Sequence, residues 1–238
     1  PNAGGILGYM NLEHPPLGKY LVATSMVLCG DRPVCWRLPS IASGLGVLAL
    51  QYLLLRWMLG GFWGSVLAVA IPAVTALDRT FRSLTVVAML DSPLTLFTYL
   101  ACLYALRGSP SRSSLFLSLA FSTKFSGAFA VPPLYPSYSR RVAPAHAILL
   151  LVYAPLAAFI ALSVPLILFK GGFLSWWAEA VEGALRWHVS TKVEPGKGPP
   201  AASPWDWLLG RNPFILHYSY VEGVGFAVSY THLRAHET

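Results

Sequence analysis

Long apolar runs constrain this chain more than any other feature of its sequence. Residues 36–60 and 145–169 are each long enough to cross a bilayer, which takes about 20 apolar residues. Residues 62–77 and 84–106 predict two further spans. Charged residues make up 11% of the chain, against about 25% in a soluble domain. The pattern favours an all-α, polytopic transmembrane helical bundle over the alternative, a soluble all-α protein.

Arginine-containing segments without acidic residues predict the orientation. They are Arg56, Arg107 with Arg112, and Arg140 with Arg141. Short loops rich in Lys and Arg face the cytoplasm, so all of them are expected on that side. Residues 114–135 must then enter and leave at one membrane face, as a re-entrant hairpin or two short helices with Lys124 near the tip.

Shorter amphipathic segments are expected at the opposite, outer face. Residues 17–30 are apolar but too short for a span, and residues 176–190 carry aromatic and charged residues at helical spacing, so both predict interfacial helices. Cys29 and Cys35 flank a short turn and can form a disulfide in an oxidising compartment, or remain as two thiols. The net charge of +7 indicates anionic lipid or phosphate as a partner. Nucleic acid is not expected, because no basic run is interleaved with stacking aromatics.

Both ends of the sequence affect the domain assignment. The chain begins with Pro1 and is expected to be truncated. Residues 228–238, VSYTHLRAHET, resemble the translation of a transposase-type sequencing adapter and are treated as an artefact. This leaves residues 1–227 as a partial transmembrane domain, with an outer loop over residues 170–213.

Ionisable residues at membrane depth are costly and are therefore candidates for function. Lys19, Arg37 and Lys124 can form a cationic pocket for a lipid phosphate, although Lys and Arg near span ends also snorkel to headgroups. Glu13 and His14 can act as an acid/base pair.

Two aspartates and three outer-loop residues complete the candidates. Asp91 precedes Ser-Pro and is expected to cap its helix or to serve the donor site, and Asp78 is expected to form a surface ion pair with Arg79 or to serve the same site. His188, Trp205 and Trp207 lie in the outer loop, where the tryptophans suit a membrane interface or a sugar. No metal site is expected, since no metal-ligand spacing is present.

Several segments, in order, resemble the protein O-mannosyltransferase family (glycosyltransferase family 39), which has the C-type glycosyltransferase fold. They are EHPPLGKYLVA, WRLPSIASGLGVLALQYLLLR, LTVVAMLDSPLTLF and FSTKFSGAF, followed by RWHVS and SPWDWLLGRNP. The resemblance implies a dolichyl-phosphate or other polyprenyl-phosphate sugar donor, and no other cofactor is assigned. It also implies a hydroxyl acceptor, typically Ser or Thr of a protein, and an active site on the extracytoplasmic or lumenal face.

The resemblance also assigns roles to individual residues. Glu13 and His14 match the outer-loop motif with its two prolines, and Arg37 matches the arginine at the start of a span. Asp91 matches the acidic residue of the family's LLD motif, and Lys124 matches the lysine of its TK segment. The acidic pair that the family uses as its main base is expected upstream, together with a first span, so this length of chain is expected to be inactive alone, with Glu13 as a second-choice base.

Other functions remain open at this point. Another polyprenyl-phosphate-sugar transferase of the same fold, of the kind that adds aminoarabinose to lipid A, has the same requirements. A non-enzymatic lipid transporter or flippase would need polar residues deep along several spans or inverted repeats, and neither pattern is evident. The sequence does not address dimerisation.

Overall fold

The computed structural model describes residue 12 and residues 14–190, 215–221 and 225–230. For residues 187, 188 and 190 and for both strands it describes the backbone alone. The helices are α1 (Leu17–Cys29), α2 (Pro33–Leu59), α3 (Gly61–Leu77), α4 (Arg79–Val86), α5 (Asp91–Leu106), α6 (Pro110–Thr123), a 3-10 turn (Phe125–Ala130), α7 (Val131–Ser139), α8 (Pro144–Phe169) and α9 (residues 173–190). One π-helical turn interrupts α8 (Leu149–Tyr153) and another interrupts α9 (Ala178–Glu182).

In the part of the chain that the structure describes, two helices are long and apolar enough to cross a membrane, namely α2 and α8. The pair α3 and α4, bent by 68°, counts as a third if it forms one broken span. Large apolar side chains point outward along these helices, including Leu53, Trp63 and Leu168, as lipid-facing residues do. The prediction of an all-α membrane bundle is confirmed, and the chain is an integral membrane protein.

The span predicted over residues 84–106 is wrong. Helix α4 ends at Val86 and α5 begins only at Asp91, so an irregular segment divides the apolar run. Pro93 lies in the first turn of α5, where a proline fits because the N–H it lacks would have no partner within the helix. Hydropathy alone does not detect this interruption.

Serine hydroxyls mark how the central helices lie against each other. Ser40 on α2 donates to the Met89 carbonyl just before α5, so these two helices run side by side in the same direction. Helix α6 returns antiparallel to α5, with the Ser113 hydroxyl donating to the Ala101 carbonyl. Small residues allow such close approach of helix backbones in membranes.

The chain from α6 through the 3-10 turn to α7 forms a hairpin. Leu117, Leu134 and Tyr138 are buried in one core cluster between its two limbs and α5. The Tyr138 hydroxyl donates to the Pro110 carbonyl at 2.8 Å, which joins the end of α7 to the start of α6. The predicted hairpin with Lys124 near its tip is therefore present.

This hairpin defines two opposite ends of the bundle. The arginine end carries Arg56, Arg107, Arg112, Arg140 and Arg141, at the ends of α2, α5 and α7 and the start of α6. The lysine end carries the tip of the hairpin, the start of α5 and the start of α1. A disulfide between Cys29 and Cys35 joins α1 to α2 away from the arginine end, which decides between the two states left open by the sequence.

Helix α9 buries part of its aromatic surface. Trp176 is 1% exposed and its ring lies 5.4 Å from that of Phe159 on α8. Ala180 and Ala184 follow at helical spacing on the same buried face. The amphipathic pattern of this segment therefore includes a protein-facing stripe as well as a polar one.

An antiparallel hairpin of β1 (Ile215–Val221) and β2 (Gly225–Tyr230) follows the helices. Residues 228–230 of β2 belong to the stretch that resembles adapter sequence. No sequence pattern predicted these strands, and they carry no candidate site residue.

Candidate functional site at the lysine end

Asp91 and Lys124 form an ion pair at the lysine end. Nζ of Lys124 donates to Oδ1 of Asp91 at 2.8 Å, and each side chain is 29% exposed. Asp91 lies in the first turn of α5, where the helix dipole favours a negative charge. Lys124 follows the last residue of α6 in an extended conformation that turns the chain into the 3-10 helix. The structure thus joins two residues that the sequence had nominated separately.

Gly127 fixes the position of Lys124. The amide of Gly127 donates to the Lys124 carbonyl at 2.9 Å. A Cβ at Gly127 would lie 2.7 Å from the backbone nitrogen of Phe121, so no larger residue fits. No sequence pattern singled out Gly127. The feature that could have indicated it is the run of small residues SGA, at positions 126–128.

Gly18 brings the start of α1 to the same place. A Cβ at Gly18 would lie 2.4 Å from Leu90 and 3.3 Å from Thr123, the residues that precede Asp91 and Lys124. The neighbouring Lys19 donates from Nζ to the His14 carbonyl at 3.0 Å. Three separate stretches of sequence therefore converge beside the ion pair.

The double proline anchors the segment before α1. Pro15 and Pro16 are fully buried, against a surface that includes Phe125, Phe159 and Trp176. Prolines suit this burial because they have no backbone N–H to leave unpaired. His14, at the edge of the same contact, is half-buried. The HPP motif thus has a structural role in seating His14 and Lys19.

Arg37 does not join the pair. It is exposed near the start of α2, one turn before Ser40, whose hydroxyl bonds to the residue two before Asp91. Within the described part of the chain Arg37 has no ion pair. The structure places it at the lysine end, and its predicted role in phosphate binding stays a prediction.

The capping expectations for the two aspartates are reversed. Leu90, not Asp91, is the N-cap residue of α5, and the Asp91 side chain is held by Lys124 instead. Asp78 caps α4, accepting from the Phe81 amide at 2.7 Å, and it makes no ion pair with Arg79. Asp78 thereby stabilises the bend between α3 and α4.

The other predicted residues lie beyond what the structure describes. Glu13, Trp205 and Trp207 are outside the described residues, and only the backbone of His188 is described, within α9. In the described part of the chain, no three His, Cys, Asp or Glu residues come together as metal ligands would.

The arrangement suits an anion that arrives and leaves. A lysine already paired with a carboxylate is held in place, and an incoming phosphate can replace the carboxylate as its partner. Lys19 adds a second cation at the same end, within an apolar bundle. Such a site can stabilise negative charge that develops on a phosphate oxygen.

A family model matches most of the helical part of the chain. The model described as dolichyl-phosphate-mannose-protein mannosyltransferase matches residues 13–169, more than half of the 238-residue chain. Comparisons with curated proteins and with solved structures gave no match. The matched range runs from the start of the HPP segment to the end of α8 and contains every residue of the ion pair and its supports. The chain therefore belongs to the dolichyl-phosphate-mannose-protein mannosyltransferase family of membrane glycosyltransferases.

Proposed function

We propose that the protein transfers mannose or a related sugar from a polyprenyl (dolichyl) phosphate carrier to a hydroxyl acceptor. The description of the matched family names a protein as the acceptor, and we take Ser or Thr as its acceptor residue, as the sequence resemblance implies. The observation that carries the proposal is the Asp91–Lys124 pair beside Lys19 at one end of a membrane bundle. This geometry supports the proposal, because the phosphate of a membrane-embedded carrier lies at the level where a bundle of this kind ends.

The reaction needs a base and a stabilised leaving group. The acceptor oxygen attacks the anomeric carbon while the bond from that carbon to the phosphate oxygen breaks. The carrier then leaves with its bonding electrons, as a phosphate with one more negative charge. Lys124 and Lys19 stabilise that charge, and a carboxylate takes the acceptor proton. Glu13 is the local carboxylate candidate for that proton transfer, and the His14 imidazole is a second candidate base.

Two features support an extracytoplasmic site. The disulfide between Cys29 and Cys35 lies away from the arginine end, and disulfides persist in oxidising compartments. The arginines occupy the other end, as cytoplasmic loops do. Both features give the same orientation, with the Asp91–Lys124 pair outside the cytoplasm.

Replacing Lys124 in the full-length protein tests the proposal. Lys124→Gln removes a charged hydrogen-bond partner of the phosphate, which costs about 10-fold to 100-fold in transfer from dolichyl-phosphate mannose to a Ser/Thr peptide. Lys170→Gln is the matched control. Lys170, which directly follows α8, also pairs with a carboxylate, that of Glu179 on α9. Its transfer rate is expected to stay within about twofold of the original, as is usual for a partly exposed ion pair. Unchanged transfer in Lys124→Gln, or equal loss in both variants, contradicts the proposal.

Alternative substrates distinguish the remaining functions. Transfer of aminoarabinose from its polyprenyl carrier to lipid A, without transfer of mannose to peptide, would assign the related activity of the same fold. Movement of labelled dolichyl phosphate across proteoliposomes without any transfer would indicate a flippase. Either result overturns the mannosyl proposal while leaving the phosphate contact at Lys124 testable by binding.

A further inference from the structure

The arginine end contains a cavity, at the opposite end of the bundle from the Asp91–Lys124 pair. Its volume is about 290 Å³, and Leu106, Ser137, Arg140 and Arg141 line it. It lies where α5 ends and α7 ends, at the opposite end of α6 from Lys124. Nothing in the transfer reaction uses it.

Contacts between side chains and the backbone shape this cavity. Gly108, in the turn after α5, has a φ of +75°, and a Cβ there would lie 3.1 Å from Nε of Arg141. The guanidinium of Arg141 therefore packs directly against this turn, and its Nη1 donates to the Ser137 carbonyl at 3.1 Å. The bond from Tyr138 to the Pro110 carbonyl holds the two sides of the cavity together.

All the charged side chains that the structure describes around this cavity are positive. Arg107 stacks over the Trp57 ring at 5.8 Å, and Arg112 over the Tyr104 ring at 5.7 Å. Among the described residues, neither these arginines nor Arg140 and Arg141 form an ion pair. The exposed Arg140 and Arg141 are thus available to an anion from outside the protein.

The surroundings indicate which anion fits. Leu106 gives the cavity an apolar wall and is 44% exposed. Trp57, Met58 and Leu59 are also exposed at this end of α2, as residues facing lipid are. A ligand here meets arginines at one side and acyl chains at the other. The preference of cytoplasmic loops for Lys and Arg explains why this end carries arginines, but it does not explain why they line a cavity.

We propose that this cavity binds the phosphate headgroup of an anionic membrane phospholipid. Basic pockets at the cytoplasmic ends of membrane helices bind such headgroups. The planar guanidinium groups of Arg140 and Arg141 suit bidentate contact with phosphate oxygens. The inference is independent of the proposed transferase activity, because it concerns the other end of the bundle.

Calorimetric titration of the full-length protein in neutral detergent tests this site. The probe is dihexanoyl phosphatidylglycerol, with dihexanoyl phosphatidylcholine, glycerol 3-phosphate and inorganic phosphate in parallel. Saturable binding is expected for phosphatidylglycerol, with binding at least about tenfold weaker for the others, since they lack the net charge or the acyl chains. Arg140→Gln/Arg141→Gln is expected to weaken phosphatidylglycerol binding by about tenfold or more.

The control variant removes the same charge elsewhere. Arg79→Gln/Arg82→Gln neutralises two exposed arginines on α4 and is expected to change binding by less than about twofold. If the double variant at the cavity does not fold, the single variant Arg140→Gln replaces it, because Arg140 makes no side-chain hydrogen bond in the described part of the chain. Phosphatidylglycerol binding is then expected to weaken by about threefold. Equal weakening by the α4 variant overturns the proposal. Binding of inorganic phosphate as tight as that of the lipid would do so too, and would assign the cavity to a soluble phosphate.

Discussion

The two ends of the α6–α7 hairpin differ in how they use charge. At the lysine end, a cation is paired with a carboxylate and positioned by close backbone contacts. At the arginine end, cations lie over aromatic rings and beside a turn, and no acidic residue of the described chain accompanies them. A paired cation can exchange partners during a reaction, whereas unpaired cations retain an anion. The comparison separates a candidate catalytic end from a candidate anchoring end.

The close packing of Gly127 at the hairpin tip is where a substitution is expected to have the largest effect on stability. Gly127→Ala places a methyl group 2.7 Å from the Phe121 nitrogen, and backbone atoms there cannot move aside cheaply. The expected loss is about 2–3 kcal/mol in the free energy of unfolding, measured in detergent micelles by chemical denaturation. Lys124 should lose its position together with this contact.

Gly183→Ala is the matched control for Gly127→Ala. A Cβ at Gly183 would lie 3.5 Å from the Ala178 carbonyl oxygen, which is an ordinary contact. Because alanine is favoured over glycine inside a helix, this variant should be neutral or more stable by up to about 1 kcal/mol. A similar loss in both variants would show that the tip is not specially constrained.

The ion pair provides the next largest effect. A double-mutant cycle with Asp91→Asn and Lys124→Gln should give a coupling energy of about 1–2 kcal/mol, between the values for exposed and for buried pairs. High salt should reduce the coupling only in part, since the pair is mostly shielded from solvent.

The more exposed pair Glu182–Arg186 calibrates that cycle. Its side chains are 48% and 79% exposed, one helical turn apart on α9. Glu182→Gln and Arg186→Gln should couple by about 0.3 kcal/mol or less, and salt should abolish the coupling. If both cycles give equal energies, Asp91 does not hold Lys124 in the way the geometry indicates.

Sequence alone identified the general layout of both ends. Apolar length predicted α2 and α8, and the arginine loops predicted that residues 114–135 return to the side they came from. These inferences succeed because bilayer thickness and membrane charge act on composition, which is directly readable. Lys124 and Asp91 were likewise nominated, since a charge in an apolar run is costly wherever the chain folds.

Sequence did not predict the contacts that assemble the site. The pairing of Asp91 with Lys124 spans 33 positions and depends on the packing of Gly18 and Gly127, which periodicity does not register. Trp176 was assigned to a membrane interface, but its burial depends on where α8 presents Phe159. The division of residues 84–106 was missed because mean hydropathy does not register where helical hydrogen bonding stops, here between Val86 and Asp91.

The smallest effect concerns what closes the arginine end. Tyr138 is fully buried, and Tyr138→Phe removes one neutral hydrogen bond to the Pro110 carbonyl while retaining the ring. The expected loss is about 1 kcal/mol in the free energy of unfolding, with little dependence on salt because no charge is involved. Tyr135→Phe, on the exposed side of α7, should change the unfolding free energy by less than about 0.5 kcal/mol. If the destabilisation by Tyr138→Phe depended on salt, the hydrogen bond of Tyr138 would affect the electrostatic interactions of the arginines as well as the shape of the cavity. The two ends of the hairpin would then differ less in their electrostatics than their contacts indicate.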